Sequence, residues 1–111
     1  MAVPEAEFRS VARVKDIPPG TIAAVQVDGE DIAVANVGGE FFVTQGHCLH
    51  LQGPLGAGRL EGAVLSCPWH GWQYNVRTGE NEFDRAIQLE TYAVRVEDGE
   101  VKVALTSERL S

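Results

Sequence analysis

Short runs of alternating apolar and polar residues, separated by glycine-containing turns, dominate the chain. These runs predict β-strands, because alternate side chains of a strand face opposite sides of a sheet. The dipeptides Asp28-Gly29, Gly38-Gly39 and Asp98-Gly99 predict tight turns between neighbouring strands. No stretch keeps a helical period over about twelve residues. The pattern therefore predicts an all-β domain, a sandwich or small barrel, with strands over 8–14, 21–27, 31–37, 40–44, 63–66, 73–75, 88–97 and 101–105 and a loose tail over 106–111.

Two short cysteine–histidine segments interrupt this strand pattern. The first is Cys48-Leu49-His50, and the second, sixteen residues further on, is Cys67-Pro68-Trp69-His70. They contain both cysteines of the protein and two of its three histidines. Each segment offers one thiolate and one imidazole, which predicts a metal site built from two loops. A [2Fe–2S] centre of the type in which two histidines replace two cysteines on one iron needs this donor set.

Two other interpretations of the four residues are weaker. Two cysteines and two histidines also form tetrahedral zinc sites, but Cys-x-His is a tight spacing for a zinc ligand pair. A disulfide between Cys48 and Cys67 would leave both histidines without a role. His47 lies beside the first segment but outside the spacing, and a solvent-facing loop histidine is expected there.

The ligand spacing resembles the signature of the Rieske [2Fe–2S] family, which is Cys-x-His, about sixteen residues, then Cys-x-x-His. Pro54-Leu55, the run from Cys67 to Trp72 and the turn from Val76 to Gly79 also resemble the loops of that family. The resemblance implies that Cys48 and Cys67 hold the inner iron, and that His50 and His70 hold the outer iron, nearer solvent. It also implies a basal β-domain over 1–44 and 76–111, with an inserted cluster-binding subdomain over 45–75.

Length and charge narrow the class of protein. A chain of 111 residues is one domain, and a net charge of −7 argues against a nucleic-acid partner. No run of about eighteen apolar residues predicts a membrane span, and 1–9 lacks the pattern of a secretory signal. With both cysteines assigned to the cluster, none remains for a disulfide, which points to a reducing cytoplasm. The anchor and the additional cysteine pair of respiratory and photosynthetic Rieske proteins are absent from this sequence.

The resemblance then implies a small ferredoxin that is not catalytic alone. Such proteins carry one electron from a flavin- or NAD(P)H-linked reductase to a terminal oxygenase, and oxidation of aromatic compounds is the expected context. We expect a monomer with one cluster per chain. The alternative is a Rieske-like small subunit of a larger oxidoreductase such as assimilatory nitrite reductase.

Residues around the ligands predict the reduction potential. High-potential Rieske proteins have a serine at the position of Trp72 and a tyrosine at the position of Tyr74. Because hydrogen bonds to the sulfurs raise the potential, Trp72 predicts a low value, roughly −150 to −50 mV. Tyr74 either bonds a cysteine sulfur or is an ordinary core aromatic.

The same resemblance predicts an apolar tip around the cluster, formed by Leu49, Leu51, Pro54, Trp69 and Trp72. Pro54 is expected to cover the cluster and Trp72 to shield it from water. Leu51 and Trp69 are expected to be partly exposed as a docking patch. Acidic residues that follow the second segment either steer partners or form an ordinary solvated loop; they are Glu80, Glu82 and Asp84.

Overall fold

The computed structural model describes residues 8–48, 53–69 and 71–107. The described residues form nine β-strands, two 3-10 turns and no α-helix. No helical segment among them is long and apolar enough to cross a bilayer. The strands are β1 (Phe8–Arg13), β2 (Ile22–Val27), β3 (Glu30–Val37), β4 (Glu40–Gln45), β5 (Arg59–Glu61), β6 (Val64–Ser66), β7 (Gln73–Asn75), β8 (Thr91–Glu97) and β9 (Glu100–Ser107). The all-β prediction is confirmed.

Six strands form one antiparallel sheet in the order β1-β9-β8-β4-β3-β2. Its two edge strands, β1 and β2, contact each other, so the sheet curls into a nearly closed barrel. Two-residue turns join β2 to β3, β3 to β4 and β8 to β9, as predicted. In all three turns both residues have positive φ; Asp28 has 50° and Gly29 has 84°. This geometry suits the right-handed twist of the flanking strands.

Most predicted strand boundaries differ from the observed ones by at most one residue, but two differ by more. The predicted strand over 88–97 begins only at Thr91, because Leu89 donates its N–H to the Gly79 carbonyl (2.8 Å) instead of joining the barrel. The predicted loose tail is wrong at its start, since β9 continues to Ser107, which pairs with Tyr92. Alternation alone cannot locate these ends, because both depend on which distant backbone offers a partner.

The second sheet is small and antiparallel, in the order β5-β6-β7. It shares a wall with the barrel, namely β3. Ile32 and Val34 of that strand point into the barrel core, whereas Ala33 and Ala35 point into a second core beneath the small sheet. The second core contains both cysteines together with Leu55, Leu60, Leu65, Tyr74, Val76 and Leu89. The small alanine side chains let the two sheets approach closely.

A 3-10 turn over Leu55–Ala57 fastens this second unit to the barrel. Leu55 is fully buried, and its N–H donates to the Gly46 carbonyl at 2.9 Å. Gly56 lies directly on β2, where an added Cβ would come within 2.5 Å of the Ala24 Cα. Backbone therefore packs on backbone at this contact. The barrel holds the segment between the two cysteine loops in a fixed position.

We predict that Asn36→Ala lowers the free energy of unfolding by about 2–3 kcal/mol. The Asn36 side chain is buried; its Nδ2 donates to the Ile17 carbonyl and its Oδ1 accepts from the Gly39 N–H, both at 2.7 Å. Removing the amide leaves the carbonyl of buried Ile17 and the N–H of Gly39, in the turn after β3, without these bonds. Urea denaturation measures the change. The control Gln26→Ala removes an exposed 3.2 Å bond to Asp31, and equal losses in the two variants would contradict the prediction.

Candidate metal centre

Both cysteines begin a short loop that its own backbone closes. The Cys48 N–H donates to the Gly53 carbonyl, and the Cys67 N–H donates to the Trp72 carbonyl, each at 2.7 Å. Cys48 follows β4 of the barrel, and Cys67 follows β6 of the small sheet. Two loops of matching length therefore start from different sheets. The fold brings their two thiols into contact, although nineteen positions separate them in the sequence.

The thiols lie in a closed, apolar environment with polar groups directed at the sulfurs. Cys48 is fully buried and Cys67 is 2% exposed, and neither forms a disulfide. The buried Tyr74 hydroxyl lies 3.2 Å from the Cys48 Sγ. The Trp69 backbone N–H donates to the Cys67 Sγ at 3.4 Å. Hydrogen bonds of this kind stabilise negative charge on sulfur, as a thiolate ligand requires.

Burial raises the pKa of the Cys67 thiol. The Trp69 N–H acts against this rise by favouring the thiolate, whereas the neighbouring Cys48 side chain adds to it. A cation bound at the sulfur offsets this rise, because it stabilises the thiolate form of Cys67. Metal ions bind the thiolate form and release its proton, so this pair suits a metal and not an isolated reactive cysteine.

Gly53 lies directly beside the Cys67 sulfur. A Cβ at this position would lie 2.5 Å from the Cys67 Sγ and 3.2 Å from the Trp69 Cβ. The first loop therefore passes the second so closely that only glycine fits. The sequence shows several glycines in this region, but the spacing of the residues does not indicate which one faces a sulfur.

The remaining predicted neighbours surround this pair at different depths. Pro54 is half-buried, and an isolated bridge pairs it with His47. Trp72 is half-buried and packs on the second core, whereas Trp69 is 47% exposed. His47 lies on the surface with its Nε2 3.7 Å from the Asp31 Oδ2.

The other predicted site residues are Leu49, His50, Leu51 and His70, and they lie outside the described residues. Within the described ranges, no three His, Cys, Asp or Glu side chains come together as a metal-binding group. The described part of the centre is therefore the two thiols, the groups bonded to them and the ends of both loops.

Comparison with known proteins identifies the family of the chain and the cofactor that its two loops fit. The family model of the Rieske [2Fe-2S] domain matches residues 7–93, which include both loops and most of the barrel. The chain belongs to the Rieske [2Fe–2S] family. The two buried thiols and the hydrogen bonds directed at their sulfurs fit the family's cofactor, a [2Fe–2S] cluster with thiolate and imidazole ligands.

Similar proteins are ferredoxins of oxygenase systems. Ferredoxin CarAc of Metapseudomonas resinovorans is 38% identical over 85% of this chain and 90% of its own length. The biphenyl dioxygenase ferredoxin subunit of Pseudomonas sp. (strain KKS102) is 36% identical over 86% of this chain and 90% of its own length. This Rieske protein is accordingly an electron carrier. It is the electron-transfer component of an oxygenase system and not the catalytic component.

A solved structure supports the same conclusion at the level of the fold. It is a complex of reduced oxygenase and oxidized ferredoxin in carbazole 1,9a-dioxygenase. One of its chains is 35% identical to this protein, with a TM-score of 0.85 over 93% of this chain and 97% of that chain. The barrel and the small sheet together therefore make up nearly all of a known ferredoxin.

We predict that Gly53→Ala reduces the iron content of the purified protein by more than half, because the added methyl group displaces the Cys67 sulfur. Iron and sulfide analysis and visible absorption measure cluster loading, and far-ultraviolet circular dichroism checks the fold. Gly62→Ala is the control: its φ of 59° makes alanine strained there, but the added Cβ meets nothing within 4 Å, so it tests the effect of backbone strain without a clash at a sulfur. The explanation fails if both variants load iron like the wild type, or if both lose it equally.

Proposed function

We propose that Cys48, Cys67, His50 and His70 hold the Rieske [2Fe–2S] cluster. The observation that carries this proposal is the contact of two buried thiols at the starts of two matched loops. Each loop contains one of the two histidines, two or three positions after its cysteine. When bound, the cluster takes up and gives back one electron. The chain's own residues exclude water from the sulfurs and direct hydrogen bonds at them.

The two structural units have different tasks in this proposal. Residues 1–44 and 76–111 form the basal β-domain, and residues 45–75 form the cluster-binding subdomain. The shared strand β3 and the contact of Gly56 with β2 support this division, because they fix the ligand loops on a rigid barrel. Rigid support keeps the geometry around the cluster nearly the same in both oxidation states.

The protein carries electrons between larger enzymes in this proposal. It receives them from a flavin-containing, NAD(P)H-linked reductase and delivers them to a terminal oxygenase that acts on aromatic compounds. The support is the role of its relatives, which are ferredoxin components of dioxygenases for biphenyl and naphthalene. The same relatives favour a free carrier over a subunit of an assimilatory nitrite reductase. We also propose that it works as a monomer in the cytoplasm, where its two cysteines remain available for iron.

Delivery occurs at the tip of the cluster-binding subdomain. Trp69 is 47% exposed on the second loop, and its backbone bonds the Cys67 sulfur. A partner that covers this side chain therefore contacts the residue that directly precedes the proposed ligand His70 in the sequence. Leu49, Leu51 and Pro54 complete the same apolar tip in the proposal, and Trp72 shields the cluster from the side of the second core.

The ligand assignment predicts which substitutions remove the cluster. Cys48→Ser, Cys67→Ser, His50→Ala and His70→Ala should each give colourless protein after anaerobic purification, because each removes one of four iron ligands. His47→Ala is the control and should keep the colour, since His47 lies outside the ligand set. Absorption and EPR spectra before and after dithionite measure this, with a reduced-state signal whose average g lies below the free-electron value. A coloured ligand variant, or a zinc-containing colourless wild type, would overturn the assignment.

Tyr74→Phe should lower the reduction potential by about 20–65 mV. This range is the shift expected when one hydrogen bond to sulfur, worth about 0.5–1.5 kcal/mol, stabilises only the reduced state. The hydroxyl in question lies 3.2 Å from the Cys48 Sγ. A spectroelectrochemical titration measures the potential, with a wild-type value of roughly −150 to −50 mV expected. Tyr92→Phe, on β8 of the barrel, is the matched control; an equal shift in both variants would rule out a sulfur-specific effect.

A further inference from the structure

Phe83 is the most exposed large apolar side chain of the described residues. Its exposed fraction is 77%, compared with 49% for Val96 and 47% for Trp69. The segment that carries it follows the turn after β7 and has no strand of its own. A partner that covers this side chain removes its apolar surface from water, which favours association.

The buried side chain of Asn81 holds the backbone at Phe83 in this position. Asn81 is 2% exposed, and its Oδ1 accepts from the Phe83 N–H at 2.8 Å and from the Asp84 N–H at 3.0 Å. The Asn81 N–H donates in turn to the Ile87 carbonyl at 2.8 Å. Asparagine favours such turns because its side chain replaces a backbone acceptor. The backbone at Phe83 is therefore held in place, so a partner does not have to order this turn.

Backbone pairing places Phe83 at the cluster end of the small sheet. Asn81 pairs with Tyr74, and the Glu82 N–H donates to the Gln73 carbonyl at 2.8 Å, so this segment lies antiparallel to β7. It runs toward Trp72, whose carbonyl accepts from the Cys67 N–H. Phe83 therefore lies two interstrand spacings, roughly 10 Å, across the small sheet from Cys67.

Carboxylates lie close to Phe83 in the sequence, and the two nearest are exposed. Glu82 and Asp84 flank Phe83 directly and are both exposed, and Glu80 precedes them. Arg85 is the one basic residue over 80–87, so this segment carries a net negative charge within a chain of net charge −7. A partner that receives Phe83 in an apolar recess therefore needs basic side chains around that recess.

We infer that Phe83 and its flanking carboxylates are a second docking point, beside the apolar tip, for the electron-accepting oxygenase. The partner chemistry is an apolar recess bordered by lysine or arginine. The inference rests on the proposed function and adds a contact that is separate from the ligand loops. The oxygenase is the partner to which we assign this surface because a similar ferredoxin chain, 35% identical, has been solved in complex with its oxygenase.

The test is reduction of the oxygenase of carbazole 1,9a-dioxygenase by the cluster-loaded, dithionite-reduced protein in a stopped-flow spectrophotometer. Phe83→Ser should lower the second-order rate constant about tenfold, as expected for an exposed aromatic anchor. Phe83→Leu should recover most of the rate, because it restores an apolar side chain. The control Val96→Ser removes another exposed apolar side chain, on β8, and should match the wild type. Glu82→Gln should make the rate less sensitive to salt.

Three results of this stopped-flow experiment would overturn the inference. They are an unchanged rate for Phe83→Ser, an equal loss for Val96→Ser, and a wild-type protein with an intact cluster that fails to reduce this oxygenase. Slower reduction of Phe83→Ser by the reductase, with normal transfer to the oxygenase, would assign the surface to the reductase and also overturn it. EPR spectra and potentials are recorded for every variant. A wild type without the cluster signal would contradict the proposed function, whereas intact clusters with equal rates contradict only this inference.

Discussion

The structure depends on bringing two sulfurs together where water cannot reach them. Their loops belong to different sheets, so the sheets must approach more closely than ordinary side chains allow. Ala33 and Ala35 provide a thin wall between the two cores, and Gly56 lets backbone lie on backbone at β2. At the sulfurs themselves, Gly53 approaches Cys67 so closely that an added Cβ would lie 2.5 Å from its Sγ. Small residues at these positions therefore serve the metal centre, although none of them is a proposed ligand.

The polar groups around the sulfurs divide into two kinds. The Trp69 N–H is part of the backbone, so the shape of the second loop provides it whatever the side chain is. The Tyr74 hydroxyl is a side-chain group that comes from β7, outside both loops. Substitution can remove the second without disturbing the first. The potential of the cluster can thus be adjusted from the small sheet while the ligand loops keep their geometry.

The sequence predicts much of the fold because local rules determine it. Two-residue turns with positive φ, such as Asp28-Gly29, mark hairpins directly, and alternation marks the strands between them. The spacing of Cys48 and Cys67 relative to the histidines indicates the cluster type. Long-range pairing is not visible in this way. That Thr91 begins β8, that Ser107 still belongs to β9 and that Asn81 pairs with Tyr74 all depend on partners far away in the chain.

The pairing of β1 with β9 has a consequence for biosynthesis. Phe8 pairs with Ala104, so the first described strand can be completed only by the last one. On the ribosome, β1 keeps an open edge until β9 has been synthesised, and such edges invite pairing with other chains. Both cysteines leave the ribosome well before β9 does. The cysteine-containing loops are therefore complete while the barrel is still open.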